Sequence, residues 1–231
     1  MIKDSLCAVV LALSTAACVS KTAYTPPPEI ITRYSPVIQS CPPSETIAKQ
    51  LPCEQKAEEK KPDPITPEYR ALLDTIAWAE GTDCHYNMMM GRMLFKDYSA
   101  HPIETKEMPE KGFEFGPRWR KRYSTAAGRY QFLYKTYNLL KGEGFFQTGF
   151  SPEEQDLAAI YLIQKNEITQ DVLEEAARKK EFIDVWDALS GEWASLPHKK
   201  TKRSRYRFQY ASREDNLEKI YLHFYEIRIK P

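Results

Sequence analysis

Ala77-Trp78-Ala79-Glu80-Gly81-Thr82-Asp83 is the stretch on which the reading of this chain turns. The spacing upstream of it predicts an amphipathic helix. Thr66 suits an N-cap, Pro67 the first helical position and Gly81 the terminator. Tyr69, Leu72, Leu73 and Ile76 follow the i, i+3, i+4, i+7 rule, and Glu80 falls one step further along the same stripe. A carboxyl group there faces a core or a cleft, and desolvation favours its neutral form. Two readings are open at this point: a protonated acid catalyst, or a Glu held near a helix end by a structural partner.

Composition divides the rest of the chain. Of 231 residues, 42% are hydrophobic, and ten of the sixteen prolines lie between Pro26 and Pro67. Residues 1–17 read as a signal peptide: Lys3, the apolar run Leu6 to Leu13, then small residues before Cys18. The apolar run is too short to span a bilayer comfortably. Leu13-Ser14-Thr15-Ala16-Ala17-Cys18 resembles a bacterial lipoprotein cleavage box, which implies lipidation of Cys18. Val19 rather than Asp follows, and the sorting rules of that class then imply a periplasmic protein anchored to outer-membrane lipid. Residues 18–64 read as a Pro-rich extended tether, with a reach of roughly 40 Å as a flexible coil. The segment resembles the small Pro-rich lipoproteins of phage lysis cassettes, so envelope or lysis proteins are candidate partners. Residues 65–231 form the globular domain.

The net charge of +1 implies no global attraction to polyanions, and an exported chain seldom meets nucleic acid. Cys41 and Cys53 are expected to pair, which leaves Cys84 over; adjacent His85 is a poor base partner for it. Four histidines without H-x-x-x-H or C-x-x-C spacing give no metal site, and no cofactor is expected.

Within the domain, Met88-Met89-Met90-Gly91-Arg92-Met93-Leu94-Phe95 suggests a β-hairpin with buried packing. A helix carrying Tyr130, Leu133, Tyr134 and Tyr137 on one face follows. Ser151-Pro152-Glu153-Glu154 is a capping box opening a helix through Ile163. Further helices are expected at Asp171 to Lys179, Phe182 to Leu189 and Arg213 to Tyr225. The fold class is α+β, mostly α.

Five motifs then carry a resemblance. They are the opening heptapeptide, Leu94-Phe95-Lys96-Asp97-Tyr98-Ser99-Ala100-His101-Pro102, Ala127-Gly128-Arg129-Tyr130-Gln131, Phe150-Ser151-Pro152-Glu153-Glu154-Gln155-Asp156 and Trp193-Ala194-Ser195-Leu196-Pro197. In this order they resemble the phage lambda endolysin family of lytic transglycosylases. The resemblance spans Glu68 to Tyr225 and implies a lysozyme-like fold, with a small hairpin and a helical lobe flanking a saccharide cleft. It also implies that Glu80 is the single catalytic acid/base, cutting the MurNAc-GlcNAc β-1,4 bond of peptidoglycan glycan strands to leave 1,6-anhydro-MurNAc. Gln131, Tyr206 and Tyr98 are the implied substrate-binding residues, and Tyr130 reads either as a ring stacked on a sugar or as part of the core.

Departures from the family pattern keep alternatives in view. The loop between Asp83 and Tyr86 is short, and Asn87 stands where the family has an acidic residue. After Pro197 the chain is basic, Lys199 to Arg207, with a counterpart in Arg118, Arg120, Lys121 and Arg122; by resemblance these are two lips over the cleft, and their charge reads either as attraction for stem-peptide carboxylates or outer-membrane lipid phosphates, or as solvated loops. Asp97 is where a two-carboxylate muramidase would place its nucleophile or base. A wall-binding lipoprotein without turnover is the non-enzymatic alternative.

Overall fold

The computed structural model describes residues 65–116, 121–206 and 209–229. The expected signal peptide, tether, Cys18 lipidation and Cys41–Cys53 pair lie outside the described residues, as do Arg118, Arg120 and Arg207. Helix α1, Pro67–Glu80, is the centre of the structure. Its flanks pack against α3 (Pro152–Lys165), α4 (Gln170–Lys179) and above all α6 (Glu214–Ile229). Helices α2 (Tyr134–Gly142) and α5 (Ile183–Leu189) complete the helical part of the described residues.

The sequence pattern explains α1 only in part. Leu72, Leu73 and Ile76 are fully buried as the stripe requires, each contributing on the order of 1.5–3 kcal/mol. Glu68, Asp74 and Thr75 are buried too, so this helix is surrounded rather than laid on a core by one face. Pro67 occupies the first turn, but Thr66 makes no side-chain cap bond. Gly81 ends the helix in the left-handed region, φ 71°, where a side chain would be strained. Its N–H donates to the Trp78 carbonyl at 3.0 Å, and Thr82 N–H donates to Ala77 at 3.0 Å.

Strands β1 (Met88–Met89) and β2 (Met93–Leu94) form the expected hairpin, pairing Met88 with Leu94 and Met89 with Met93. Buried packing holds for Met89 alone of these four. Met93 and Leu94 are 41% and 51% exposed, because β2 is the outer strand and β1 takes the inner contacts. A second antiparallel pair, β3 (Phe113–Phe115) with β4 (Arg122–Ser124), was not expected; its strands are too short to stand out by alternation.

The Tyr130 helix is corrected. Helix α2 starts at Tyr134, and residues 127–131 instead form a tight turn, with Gly128 at φ 81° and Gln131 at φ 49°. Gly128 is required there. A Cβ would lie 2.3 Å from Gln155 Oε1. Ser151 caps α3, accepting from Glu154 N–H at 3.3 Å, but Glu154 turns its carboxylate to Phe146 N–H and Thr148 instead of completing the box.

Candidate active site

Glu80, the last residue of α1, has one hydrogen-bond partner among the described residues. Ser195 Oγ donates to its Oε1 at 2.7 Å. Burial raises the Glu80 carboxyl above its ordinary pKa, and the hydroxyl and backbone N–H of Ser195 pull in the other direction without cancelling that rise. No charged side chain takes part. Glu80 is half-buried, and its carboxyl is held by a neutral donor rather than as half of an ion pair.

Two turns fix this arrangement. Leu196 is fully buried, and Trp193 donates its indole N–H to the Tyr130 carbonyl at 3.0 Å, which anchors the Ser195 turn to the turn at 127–131. On the other side, the Thr82 hydroxyl lies 3.0 Å from the Ala77 carbonyl and 2.5 Å from the Arg129 carbonyl. Gly128 N–H donates to Met88 at 2.8 Å, and Met90 N–H donates to Ala126 at 3.0 Å, so β1 is held to the same turn.

Beneath the turn lies a buried network of charges and phenols. Arg129 reaches Asp74 Oδ1 through Nη2 at 2.7 Å, the Asp83 carbonyl through Nε at 2.8 Å and the Tyr86 hydroxyl through Nη1 at 3.1 Å. Asp74 also pairs with Arg228 of α6, and Asp156 with Arg70 of α1. Tyr86 and Tyr130 donate to Asp156 Oδ1 at 2.8 and 2.5 Å. Gln155, fully buried, accepts from Arg129 N–H at 2.8 Å and donates to the carbonyls of Tyr86 and Phe150. Each charge has an opposite partner, as burial demands.

Several expected site residues take other positions. Tyr130 as a saccharide platform is corrected: it is fully buried with its hydroxyl on Asp156, so its face is not offered to a ligand. Gln131 commits its amide nitrogen to the Gly128 and Met88 carbonyls, at 2.9 and 3.2 Å. Tyr98 is half-buried against Phe95, ring centroids 5.0 Å apart. Tyr206 is exposed and donates its hydroxyl to the Gly191 carbonyl. Asp97 is exposed and closes a local turn, accepting from Ser99 N–H at 2.8 Å; that bond holds its carboxyl below the ordinary range.

Cys84 is also corrected. It is disulfide-bonded rather than left over.

Three cations of the basic lip are paired within their own domain. Lys199 pairs with Asp184, Lys202 with Glu214 and Arg205 with Asp187. On the β3–β4 hairpin, Lys121 pairs with Glu114. In a surface hollow lined by Lys202, Arg213, Glu214, Asp215 and Glu218, Lys202 pairs with Glu214 and Arg213 with Asp215, and Glu80 is not part of the lining. Among the described residues, no cluster of His, Cys, Asp and Glu could hold a metal ion.

Comparison with known proteins places this geometry. The Endolysin family model matches residues 70–225. The chain belongs to the endolysin family. It is 31% identical over 141 residues to the endolysin of Escherichia phage lambda, covering 58% of this chain and 79% of that protein. It also superposes on the bacteriophage lambda lysozyme complexed with a chitohexasaccharide, with a TM-score of 0.53, 28% identity, and 70% and 96% of the two chains covered. A second structure of lysozyme from bacteriophage lambda gives 0.52 at 26% identity, over 72% and 97%. The fold is thus lysozyme-like, α+β and mostly helical, and this endolysin is a peptidoglycan-cleaving enzyme of the lysozyme kind.

Sequence reasoning missed Ser195 as the partner of Glu80, although its motif was among the five. The buried Asp74–Arg129 pair was missed as well. Its one signal was Asp74, a charge lying between Leu73 and Ile76 of the apolar stripe.

Proposed function

We propose that this endolysin is a lytic transglycosylase in which Glu80 is the single acid/base. The observation that carries the reading is the Glu80 carboxyl: desolvated, raised in pKa, and bonded to Ser195 with no second carboxylate among its partners. Protonated Glu80 donates to the glycosidic oxygen as the C1–O bond of the muramoyl residue breaks through an oxocarbenium-like state. The 6-hydroxyl oxygen of the same sugar then bonds to C1 while its proton passes to Glu80. The acid is regenerated, and the product is a 1,6-anhydro sugar. An attacking group already on the sugar is an intramolecular nucleophile, so no bound water and no second carboxylate are needed.

The chitohexasaccharide complex of the lambda lysozyme supports a glycan strand as ligand here. The two-carboxylate hydrolytic reading assigns its second carboxylate to Asp97, which is exposed and accepts from Ser99 N–H in a local turn. The lipoprotein-type segment at 1–18 supports an outer-membrane tether facing the periplasm, and a disulfide at Cys84 suits an oxidising compartment. The test is clearing of purified sacculi by the full chain. Wild type is expected to clear them and Glu80→Gln to leave them intact; binding without clearing by wild type would favour an anchor without turnover.

A further inference from the structure

Ser195 stands 115 residues from Glu80 in sequence, yet it supplies the carboxyl's one side-chain hydrogen bond among the described residues. It is 8% exposed, and its surroundings leave its hydroxyl little freedom. Trp193 is tied to the Tyr130 carbonyl, and the Ser195 carbonyl accepts from Ser212 N–H at 2.7 Å. That last bond closes the base of the loop carrying the basic lip and Tyr206, so Ser195 is held from both ends of the segment. A donor fixed in this way before the substrate arrives costs no reorganisation during reaction.

We propose that Ser195 is a positioning residue of this reaction: its hydroxyl holds Glu80 Oε1, so that Oε2 carries the proton to the glycosidic oxygen and receives it back from the sugar hydroxyl. The inference rests on Glu80 being the acid/base, as set out above. Two demands on Glu80 explain why such a donor is useful. In the first step the acid must keep its proton until the leaving oxygen needs it, which burial provides. In the second it must exist as a carboxylate long enough to accept a proton, and a desolvated carboxylate with no donor is costly. One hydrogen bond from a neutral hydroxyl stabilises the ionised form without a full positive charge, which would hold the acid permanently ionised. Ser195 also breaks the equivalence of the two carboxyl oxygens, so the proton resides on Oε2 rather than on the oxygen that accepts from the hydroxyl.

The test is steady-state kinetics of the full chain on soluble, peptide-free murein glycan strands, comparing wild type, Ser195→Ala, Ser195→Cys, Ser195→Thr and Glu80→Gln. Loss of a hydrogen bond to a charged group predicts that Ser195→Ala lowers kcat by roughly 10- to 100-fold, with KM changed less than about twofold. The alkaline limb of kcat/KM should move to higher pH, because a donor favouring the carboxylate has gone. Ser195→Thr, which keeps the hydroxyl, should restore the limb and most of kcat. If the alanine variant does not fold, the near-isosteric cysteine variant takes its place with the same expectations. A folded variant with unchanged kcat and limb overturns the proposal, as does a lower kcat with an unmoved limb, which marks a structural role alone. Activity in Glu80→Gln would instead overturn the acid/base reading itself, whatever the Ser195 variants show.

Discussion

Arg129 Nη2 lies 2.7 Å from Asp74 Oδ1, and its Nε lies 2.8 Å from the Asp83 carbonyl. One buried guanidinium thus grips α1 at its middle and the turn that follows Glu80. Removing it leaves Asp74 with Arg228 alone and releases the turn. Arg129→Ala is expected to cost on the order of 3–5 kcal/mol, read by urea denaturation. A loss below about 1 kcal/mol would show that the pair does not hold the helix.

His101 is fully buried and neutral, donating from Nε2 to the Phe132 carbonyl (3.4 Å) and accepting at Nδ1 from Ile103 N–H (3.3 Å). Desolvation lowers its pKa from 6.5 to about 4. The unfolded chain therefore binds the proton first as pH falls, so the stabilisation is complete above pH 6.5 and is lost progressively from there down to about pH 4. The loss attributable to this residue is on the order of 2–3 kcal/mol. Tm measured from pH 7 to pH 4 should fall less steeply in His101→Gln than in wild type, and parallel curves would contradict this.

Tyr130→Phe removes the hydroxyl and keeps the ring. The hydroxyl's bond to Asp156 predicts a stability loss of about 1–3 kcal/mol. Affinity for a chito-oligosaccharide should be unchanged, and calorimetric titration would expose any weakening.

Asp97 has its carboxylate in a turn with Ser99 and takes no part in the proposed chemistry. Asp97→Asn should keep kcat within about threefold of wild type. Mutation of a catalytic carboxylate in a two-carboxylate enzyme removes far more, on the scale of the 10²–10⁴-fold that acid–base groups contribute. Sacculus clearing rates distinguish the two.

What could be read from the sequence divides by range. The ends of α1 were legible because Pro67 and Gly81 act on their own backbone, and Ser151 likewise marks the start of α3. Glu80 was legible because helical spacing put it on the apolar stripe. The bond from Ser195 to Glu80 was not, since it depends on how two turns meet across the fold. Tyr130 was misread for the same reason: the positive φ at Gly128 and Gln131 makes a turn in place of a helix, and the ring goes to Asp156. The basic lip looked like a charged surface because its acidic partners Asp184, Asp187 and Glu214 lie on other elements.

The central claim is tested most directly by mass spectrometry of the muropeptides that the full chain releases from purified sacculi, beside Glu80→Gln. The account predicts products ending in 1,6-anhydro-MurNAc, lighter by one water than reducing-end products, and none from the Glu80→Gln chain. Reducing-end products would contradict it and assign hydrolysis.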